Sequence, residues 1–243
     1  LTPGLVVDRS GSHSFNIGSG ALSRGTLNAS NVTFRDSYYS SSYLLNFQTG
    51  GGGTISNCQI AGISGLSGYT SGISMTGDAS PVVTNNLFAN LQRAFAVTDT
   101  ARPVITSNTL VNVETSLFLN AALASKITFS GNVNTAGPAR QQVLINGTVS
   151  VTDTWPSLQG WTYVLNGTVY VNSGATLTLT PGLVVDRSGS HSFNIGGGTL
   201  SRGTLNASNV TFRDSYYSSS NLINFQTGGG GMIAIARLPA SAA

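Results

Sequence analysis

A short period of strand-forming residues limits most strongly what this chain can fold into. Five runs rich in Val, Ile, Thr and Phe, each closed by a small polar residue, align with one another at 32–37, 53–58, 81–86, 103–108 and 127–132. Their closing residues are 21, 28, 22 and 24 positions apart. Periods of about 20 to 50 residues are typical of solenoids, in which each repeat forms one unit of a stack. The pattern therefore predicts stacked coils of about 22 residues each.

The same runs decide between the fold classes that short strands can build. Amphipathic helices are excluded, because no useful stretch has apolar residues at the helical period. An antiparallel sandwich would show two-residue hairpin turns and no fixed register, whereas a parallel solenoid stacks equivalent residues. Pro81 and Pro103 stand at equivalent points just before their strands, where a missing N–H costs least. We therefore predict an all-β, parallel solenoid.

Turn residues at equivalent positions are expected to form a ladder along the stack. Asn86, Asn108 and Asn132 close three successive runs, and Cys58 closes the run before them. An Asn amide that bonds to the next Asn satisfies buried polar atoms and fixes the register of the coils. Cys58 is interpreted as a small, partly buried thiol in that ladder. As the chain's single Cys, it excludes an internal disulfide or multi-Cys metal site, and we predict no metal or cofactor.

A second, much longer repeat overlies the short one. Residues 1–53 recur at 179–231, an offset of 178, and only four of the pairs differ. The differing pairs are Ser19/Gly197, Ala21/Thr199, Tyr43/Asn221 and Leu45/Ile223. Even surface-type residues match, which packing alone does not enforce, so the pattern indicates a recent tandem duplication. We predict one full repeat of about eight coils at 1–178, continuous with the start of the next copy at 179–231.

The last twelve residues do not continue the second copy. Residues 232–243 read MIAIARLPASAA, where the first copy continues as TISNCQIAGISG. With suitably chosen codons, one codon change and one base deletion in the DNA for residues 54–67 give this string followed by a stop. We predict that 232–243 is a non-native tail produced by such a frameshift, which the coding DNA would test.

One passage and the coils before it carry a resemblance to a known family. Residues 163–185 read YVLNGTVYVNSGATLTLTPGLVV, which is similar to the GTVxVxxGATLTLTPG passage of long bacterial surface and secreted repeat proteins. Together with the coils of 54–133, it makes the chain resemble the right-handed parallel β-helix proteins of the pectate-lyase-like superfold. The resemblance covers essentially residues 1–231. It implies a right-handed helix and an extracellular or cell-surface location, but such coils serve lyases, adhesins, tail spikes and inert stalks alike.

The charge balance excludes one large class of partners. The chain has 11 Lys and Arg, of which one is Lys, against 8 Asp and Glu, and residues 1–178 carry a net charge of only +1. A nucleic-acid binder needs clustered cations to displace phosphate counterions. The absence of an apolar run of about 18 residues also argues against membrane insertion of this fragment.

The strongest catalytic hypothesis concerns two carboxylates and one guanidinium. Asp78 and Asp99 each precede an aligned Pro, so they are expected to project from neighbouring coils about 4.8 Å apart, with Arg102 alongside. Such a pair would share a proton for acid–base work, or hold Ca²⁺ against an acidic polysaccharide. The alternative is that each carboxylate caps its own turn and Arg102 neutralises the pair. The motifs of β-helix lyases and polygalacturonases are absent.

Aromatic residues suggest a contact surface. Candidate contacts are Tyr38, Tyr39 and Tyr43 in the first copy, Tyr216 and Tyr217 in the second, and Trp155 and Trp161 between them. Tyr and Ser together make adaptable binding surfaces, and tyrosine rings stack on sugars. The alternatives are a bulged corner whose Tyr covers the next coil, and tryptophans that plug the end of a coil.

These observations favour a structural function. The first hypothesis is a tandem module of a long extracellular fibre, sheath or adhesin stalk, with further copies of itself as partners and an axial repeat of about 38 Å. The second is a β-helix that binds or cleaves surface carbohydrate through Asp78, Asp99 and Arg102. The third, a phage tail spike, would be trimeric and is not normally built from tandem copies.

Overall fold

The protein is an all-β parallel solenoid of about eight turns, about 26 residues apart, which confirms the predicted fold class. The computed structural model describes residues 1–20, 23–38, 42–63, 70–172, 174–197, 202–216 and 220–234. The chain divides into two compact units. The first comprises Leu1–Leu119 with Lys126–Val143, and the second Asn120–Ser125 with Leu144–Ala243.

Short strands make up nearly all of the regular structure. The strands up to residue 134 are β1 (Val6–Arg9), β2 (Phe15–Ile17), β3 (Gly25–Thr26), β4 (Ala29–Ser30), β5 (Thr33–Asp36), β6 (Tyr43–Phe47), β7 (Gly51–Gly52), β8 (Thr54–Ser56), β9 (Gln59–Ala61), β10 (Ser71–Met75), β11 (Val82–Thr84), β12 (Leu87–Val97), β13 (Val104–Thr106), β14 (Thr109–Asn120), β15 (Thr128–Ser130) and β16 (Val133–Asn134). The later strands are β17 (Gln142–Val149), β18 (Asp153–Trp155), β19 (Thr162–Val171), β20 (Thr176–Leu179), β21 (Val184–Arg187), β22 (Phe193–Ile195), β23 (Thr204–Ser208), β24 (Thr211–Phe212), β25 (Ile223–Phe225) and β26 (Gly230–Ala234).

Helical structure is confined to two short 3₁₀ turns in the described part of the chain. They span Ala121–Leu123 and Pro138–Arg140. Within the same residues, no helix has the length and apolar character needed to cross a membrane.

Three rows of parallel strands build the first unit. The first row stacks β1, β5, β9, β12 and β14, and the second stacks β2, β6, β10, β12 and β14. The third row stacks β4, β8, β11, β13 and β15. Inward-facing apolar residues meet their equivalents at each step, as where Ile55 pairs with Val83 and Val83 with Ile105. Each coil therefore buries its apolar side chains against those at the equivalent positions of the neighbouring coils.

One of the five aligned runs belongs to a different row of strands from the one that the sequence predicts. The run at 32–37 was aligned with 53–58, but Thr33 pairs with Gln59 and the partner of Ile55 is Ala29. β5 therefore lies in the first row, whereas β8 lies in the third. The true equivalent of Cys58 is Val32, because the turn between the two rows repeats as Ser30–Val32 and Ser56–Cys58.

Coil length varies with the connection between the first and second rows. In the two coils that contain β12 and β14 one continuous strand serves both rows, and Val82 and Val104 are paired 22 positions apart. Earlier coils have separate strands joined by the connections 37–42 and 62–70, so Phe15 pairs with Leu45, 30 positions away. These added residues raise the mean spacing from the expected 22 to about 26.

The second unit repeats the same three rows. They are β19–β21–β24, β19–β22–β25 and β18–β20–β23–β26. The second copy reproduces the register of the first: Phe193 pairs with Ile223 as Phe15 pairs with Leu45. Ile233 likewise pairs with Ala207 as Ile55 pairs with Ala29. Residues 232–234 of the predicted non-native tail thus extend a strand, and 235–243 lie outside the described residues.

Candidate functional site

The buried turn residues form a continuous amide ladder in the first unit. Asn86, Asn108 and Asn132 are almost fully buried and occupy one position in successive coils. Each side-chain oxygen accepts the backbone N–H of the rung before: Asn86 from Cys58 at 2.9 Å, Asn108 from Asn86 at 3.0 Å and Asn132 from Asn108 at 3.1 Å. The ladder satisfies polar groups that would otherwise be buried unpaired.

The amide nitrogens complete the ladder. The Nδ2 of Asn108 donates to the Val83 carbonyl at 3.0 Å and to the Asn132 Oδ1 at 2.9 Å. A residue with positive φ precedes each rung, for example Asn85 at 56° and Ser107 at 57°. Asn tolerates this conformation better than most residues, which explains the Asn-rich turns of the sequence.

Cys58 occupies the rung before Asn86. Its side chain is buried and its Sγ donates to the Ser56 carbonyl at 3.2 Å. Burial raises the pKa of the Cys58 thiol, so the group stays protonated at neutral pH. A protonated, buried thiol is a poor nucleophile and a poor metal ligand.

The two candidate carboxylates are bound to backbone amides. Asp78 Oδ1 accepts the N–H of Gly50 at 2.6 Å, and Asp99 Oδ2 accepts the N–H of Gly77 at 3.0 Å. Each aspartate therefore caps the turn of the coil before its own. The ion pairs among the described residues do not include Arg102, which is exposed.

The strand register separates the two aspartates further than the sequence predicts. Met75 pairs with Val97, so Asp78 is level with Thr100, and Asp99 is level with Gly77. The two residues are thus one position out of step, although Pro81 and Pro103 are aligned as expected. Among the described residues, no three His, Cys, Asp or Glu side chains are grouped closely enough to hold a metal ion.

The predicted tyrosine surface is described in part. Tyr38 and Tyr216 are exposed at matching positions of the two copies. Tyr43 is half-buried, and its hydroxyl accepts Arg93 Nη1 at 2.8 Å. Tyr39 and Tyr217 lie outside the described residues. Tyr43 is thus engaged with a side chain of a later coil, and the contact role of the exposed Tyr38 and Tyr216 stays a prediction.

Both tryptophans lie in the core of the second unit, not on its surface. Trp155 stacks on Tyr163 at 5.2 Å, with 14° between the ring planes, and its Nε1 donates to the Ala121 carbonyl at 2.9 Å. Trp161 is also buried. The prediction that the two tryptophans are surface contact residues is therefore wrong. Their rings bury large apolar areas and fill the interior of the coil.

Sequence reasoning missed a buried ion pair between two coils. Arg9 donates to Asp36 through Nε at 3.0 Å and Nη2 at 2.5 Å, and Thr70 Oγ1 donates to the same carboxylate at 2.5 Å. Burial alone would raise the pKa of Asp36, but the hydrogen bonds from Arg9, Thr70 and the Tyr38 N–H lower it. The sequence contains one sign of this ion pair. Residues 8–9 are Asp-Arg, and residues 35–36, one coil later, are the same two amino acids in the reverse order.

A cavity of about 250 Å³ opens beside this ion pair in the first unit. The apolar part of its lining is Val7, Phe15, Phe34 and Leu44, and the polar part is Asp8, Arg9, Ser10, His13, Ser14 and Arg35. The cavity thus lies at the edge of the first coil and is lined by both apolar and polar side chains.

Comparison with known proteins agrees with this architecture. A family model described as the right-handed β-helix region matches residues 4–134, which is more than half of the chain. Comparisons with curated proteins and with solved structures find no significant match. The parallel rows, the stacked turns and the family match agree with one another. The chain therefore belongs to the right-handed β-helix family.

Proposed function

We propose that the protein is a structural tandem module of a long extracellular fibre, sheath or adhesin stalk, of the bacterial surface type, and that it has no catalytic role. Copies of the 178-residue repeat stack head to tail along the solenoid axis. Further copies of the same repeat are then its principal partners.

The join between the two copies is the observation that carries this proposal. Across residue 178, β18 pairs with β20, and Trp155 faces Leu179 in parallel register. The strand β19 pairs with β21 and β22 of the second copy, as where Tyr163 faces Val185. The copies are therefore joined by the same strand pairing that holds neighbouring coils together, without a linker. Such joins are what an extended array of repeats requires.

The side chains available for chemistry support the same proposal. Asp78 and Asp99 are each engaged by a backbone N–H, and Asp36 is buried in an ion pair. The polar groups of these coils thus serve the backbone and the stack. The second hypothesis, carbohydrate cleavage, needs convergent ionisable groups in a groove.

The coil spacing gives the proposal a measurable length. At about 26 residues a turn, 178 residues make about seven turns, and at about 4.8 Å per turn the repeat advances by roughly 33 Å. This value replaces the 38 Å that follows from coils of 22 residues.

The test is to lengthen the chain by one, two and three further copies of residues 1–178 and to measure particle length by electron microscopy. We expect each copy to add about 33 Å, because every join repeats the pairing at residue 178. Particles that stay equally long, or that show beads joined by thin linkers, would overturn the proposal. Asp78→Asn with Asp99→Asn is expected to leave the length increments unchanged.

A further inference from the structure

The N-terminal edge of the first copy exposes side chains of core type. We define this edge by Leu5 and Phe15, which are 41% and 42% exposed. The strand β1, which follows Leu5, and the strand β2, which carries Phe15, pair with β5 and β6 on one side only, within the described residues. The cavity beside Phe15 opens at the same edge. An open strand edge with exposed apolar residues is a template for further pairing.

The second copy shows the same side chains covered. Leu183 and Phe193, the equivalents of Leu5 and Phe15, are 2% and 0% exposed. The covering strand is β19: Val169 pairs with Phe193, and the Val169 N–H donates to the Ser192 carbonyl at 2.9 Å. The amino acids of the edge are the same in both copies, so the covering strand accounts for the difference in exposure.

A pair of aromatic rings fills the core behind this strand. Trp155 lies 5.7 Å from Phe193 and stacks on Tyr163, and all three rings are buried. The polar atoms of the pair are already satisfied, since Trp155 Nε1 donates to Ala121 and Tyr163 Oη donates to the Pro156 carbonyl at 2.8 Å. The pair therefore presents an apolar surface to the next copy without leaving a buried donor unpaired.

We infer that the N-terminal edge is a docking site for residues 153–171 of a preceding copy of the repeat, with the Trp155–Tyr163 pair seated over Phe15. The register is fixed by the second copy: Tyr163 lies opposite Val7, Leu165 opposite Arg9 and Val169 opposite Phe15. This inference rests on the proposed function and names the residues that make the joint.

The choice of occupant follows from sequence identity. The four differences between the copies, at positions 19, 21, 43 and 45 of the first, leave Leu5 and Phe15 unchanged. The segment that covers Leu183 and Phe193 therefore meets the same side chains in the same order on the first copy. A different protein would have to match two parallel strands and a ring-sized cavity at once.

Thiol labelling tests the joint in the chain with one further copy of 1–178 placed before Leu1. Phe15→Cys puts a thiol at the edge, and a maleimide reports its access under native conditions. We expect rapid labelling in the 243-residue chain and labelling slowed about tenfold or more in the lengthened chain, because access would then need local opening. Leu183→Cys in the 243-residue chain is the covered reference, and the unsubstituted chain reports any labelling of buried Cys58.

A second pair of variants tests the rings. In the lengthened chain with Phe15→Cys, Trp155→Ala in the added copy is expected to restore rapid labelling. Val151→Ala, two residues before that segment, is the matched control, since Val151 is 77% exposed, and it should leave the thiol protected. Equal effects of the two substitutions would show that the rings do not seat over Phe15.

The outcomes separate this inference from the proposed function. Rapid labelling at position 15 in the lengthened chain overturns the inference, even if the particle grows by about 33 Å and the stacking proposal survives. No growth together with rapid labelling overturns both. If Phe15→Cys loses its β-sheet circular dichroism, Leu5→Cys is used at the same edge, and the expected results are the same.

Discussion

The segments 1–53 and 179–231 have nearly the same sequence but opposite neighbours. In the first copy Phe47 is fully buried and Phe15 is exposed, whereas in the second copy Phe193 is fully buried and Phe225 is 47% exposed. The first copy is covered by the coils that follow it in the first unit, and the second copy by the coils that precede it in the second unit. A coil of this solenoid therefore owes its core to its neighbours more than to its own sequence.

The ion pair shows the same contrast. Asp36 and Asp214 are equivalent and both receive hydrogen bonds from an arginine, Arg9 or Arg187. Asp36 has a side chain that is 0% exposed and also accepts Thr70, but the Asp214 side chain is 39% exposed. The same two residues thus make a buried network in one copy and a half-solvated pair in the other.

Alanine substitutions of equivalent phenylalanines should show the largest difference in stability between the two copies. Phe47→Ala and Phe193→Ala are each expected to lower the free energy of unfolding by about 3–5 kcal/mol, the loss typical of a buried Phe. Their equivalents, Phe225→Ala and Phe15→Ala, should lose about half as much or less, because much of each ring is already in water. Urea unfolding of the four variants measures this order. Equal losses at equivalent positions would mean that burial in the stack does not set stability.

Removing the buried carboxylate should have the next largest effect. Asp36→Asn leaves Arg9 buried without its counter-charge, and we expect it to lower the free energy of unfolding by about 3 kcal/mol. Asp214→Asn should lose clearly less, because water already screens that pair. Urea unfolding at pH 7 compares the two, and a larger loss for Asp214→Asn would contradict the assignment of the buried network.

The pH dependence of the same variants follows from the lowered pKa of Asp36. A carboxyl whose folded pKa lies below its ordinary value of 3.8 stabilises the fold above that value, and the contribution is lost as pH falls through the folded pKa. The unsubstituted chain should therefore lose more stability than Asp36→Asn between about pH 5 and pH 2. If the free energy of unfolding falls equally with pH in the two proteins, Asp36 does not contribute to the loss of stability in acid.

Sequence reasoning reached the fold class and the ladder but not the row assignment of every strand. Asn86, Asn108 and Asn132 could be found because a polar residue in one turn position repeats with little change in coil length. The Val-Thr-Phe run at 32–34 fits either the first or the third row, since alternation does not tell which sheet a strand joins. Its misplacement hid the pairing of Thr33 with Gln59.

The site residues were harder to predict for a related reason. Trp155 and Trp161 stand among polar residues and turn formers, so their local sequence carries no sign of which way the rings point. The Arg9–Asp36 pair requires knowledge that its coil is 27 residues long rather than 22. Both features depend on contacts between coils. The length of each coil is set by connections that do not repeat regularly in the sequence.

The ladder position gives a third, intermediate effect. Val32 and Val210 hold this position in the two copies, whereas Asn holds it in the coils 86, 108 and 132. Asn108→Leu removes the acceptor of Asn86 and the donor to the Val83 carbonyl, and we expect a loss of about 2–3 kcal/mol. Asn46→Ala, which breaks a surface bond between Asn46 and Asn16, is the matched control and should lose well under 1 kcal/mol. Similar losses would show that the ladder is not a structural requirement.

The smallest effect is expected where the two copies differ in sequence. Tyr43 Oη accepts Arg93 of a later coil, whereas its counterpart Asn221 is exposed. Tyr43→Asn should therefore lower the free energy of unfolding by about 1 kcal/mol, and Tyr43→Phe by a similar amount if the hydrogen bond is the main contribution. Asn221→Tyr should change stability by less than about 0.5 kcal/mol, as most surface substitutions do. Thermal unfolding of the three variants measures these differences. If Asn221→Tyr stabilises the chain, a tyrosine at this position contributes through its own packing. The hydrogen bond to Arg93 would then not be the main contribution of Tyr43.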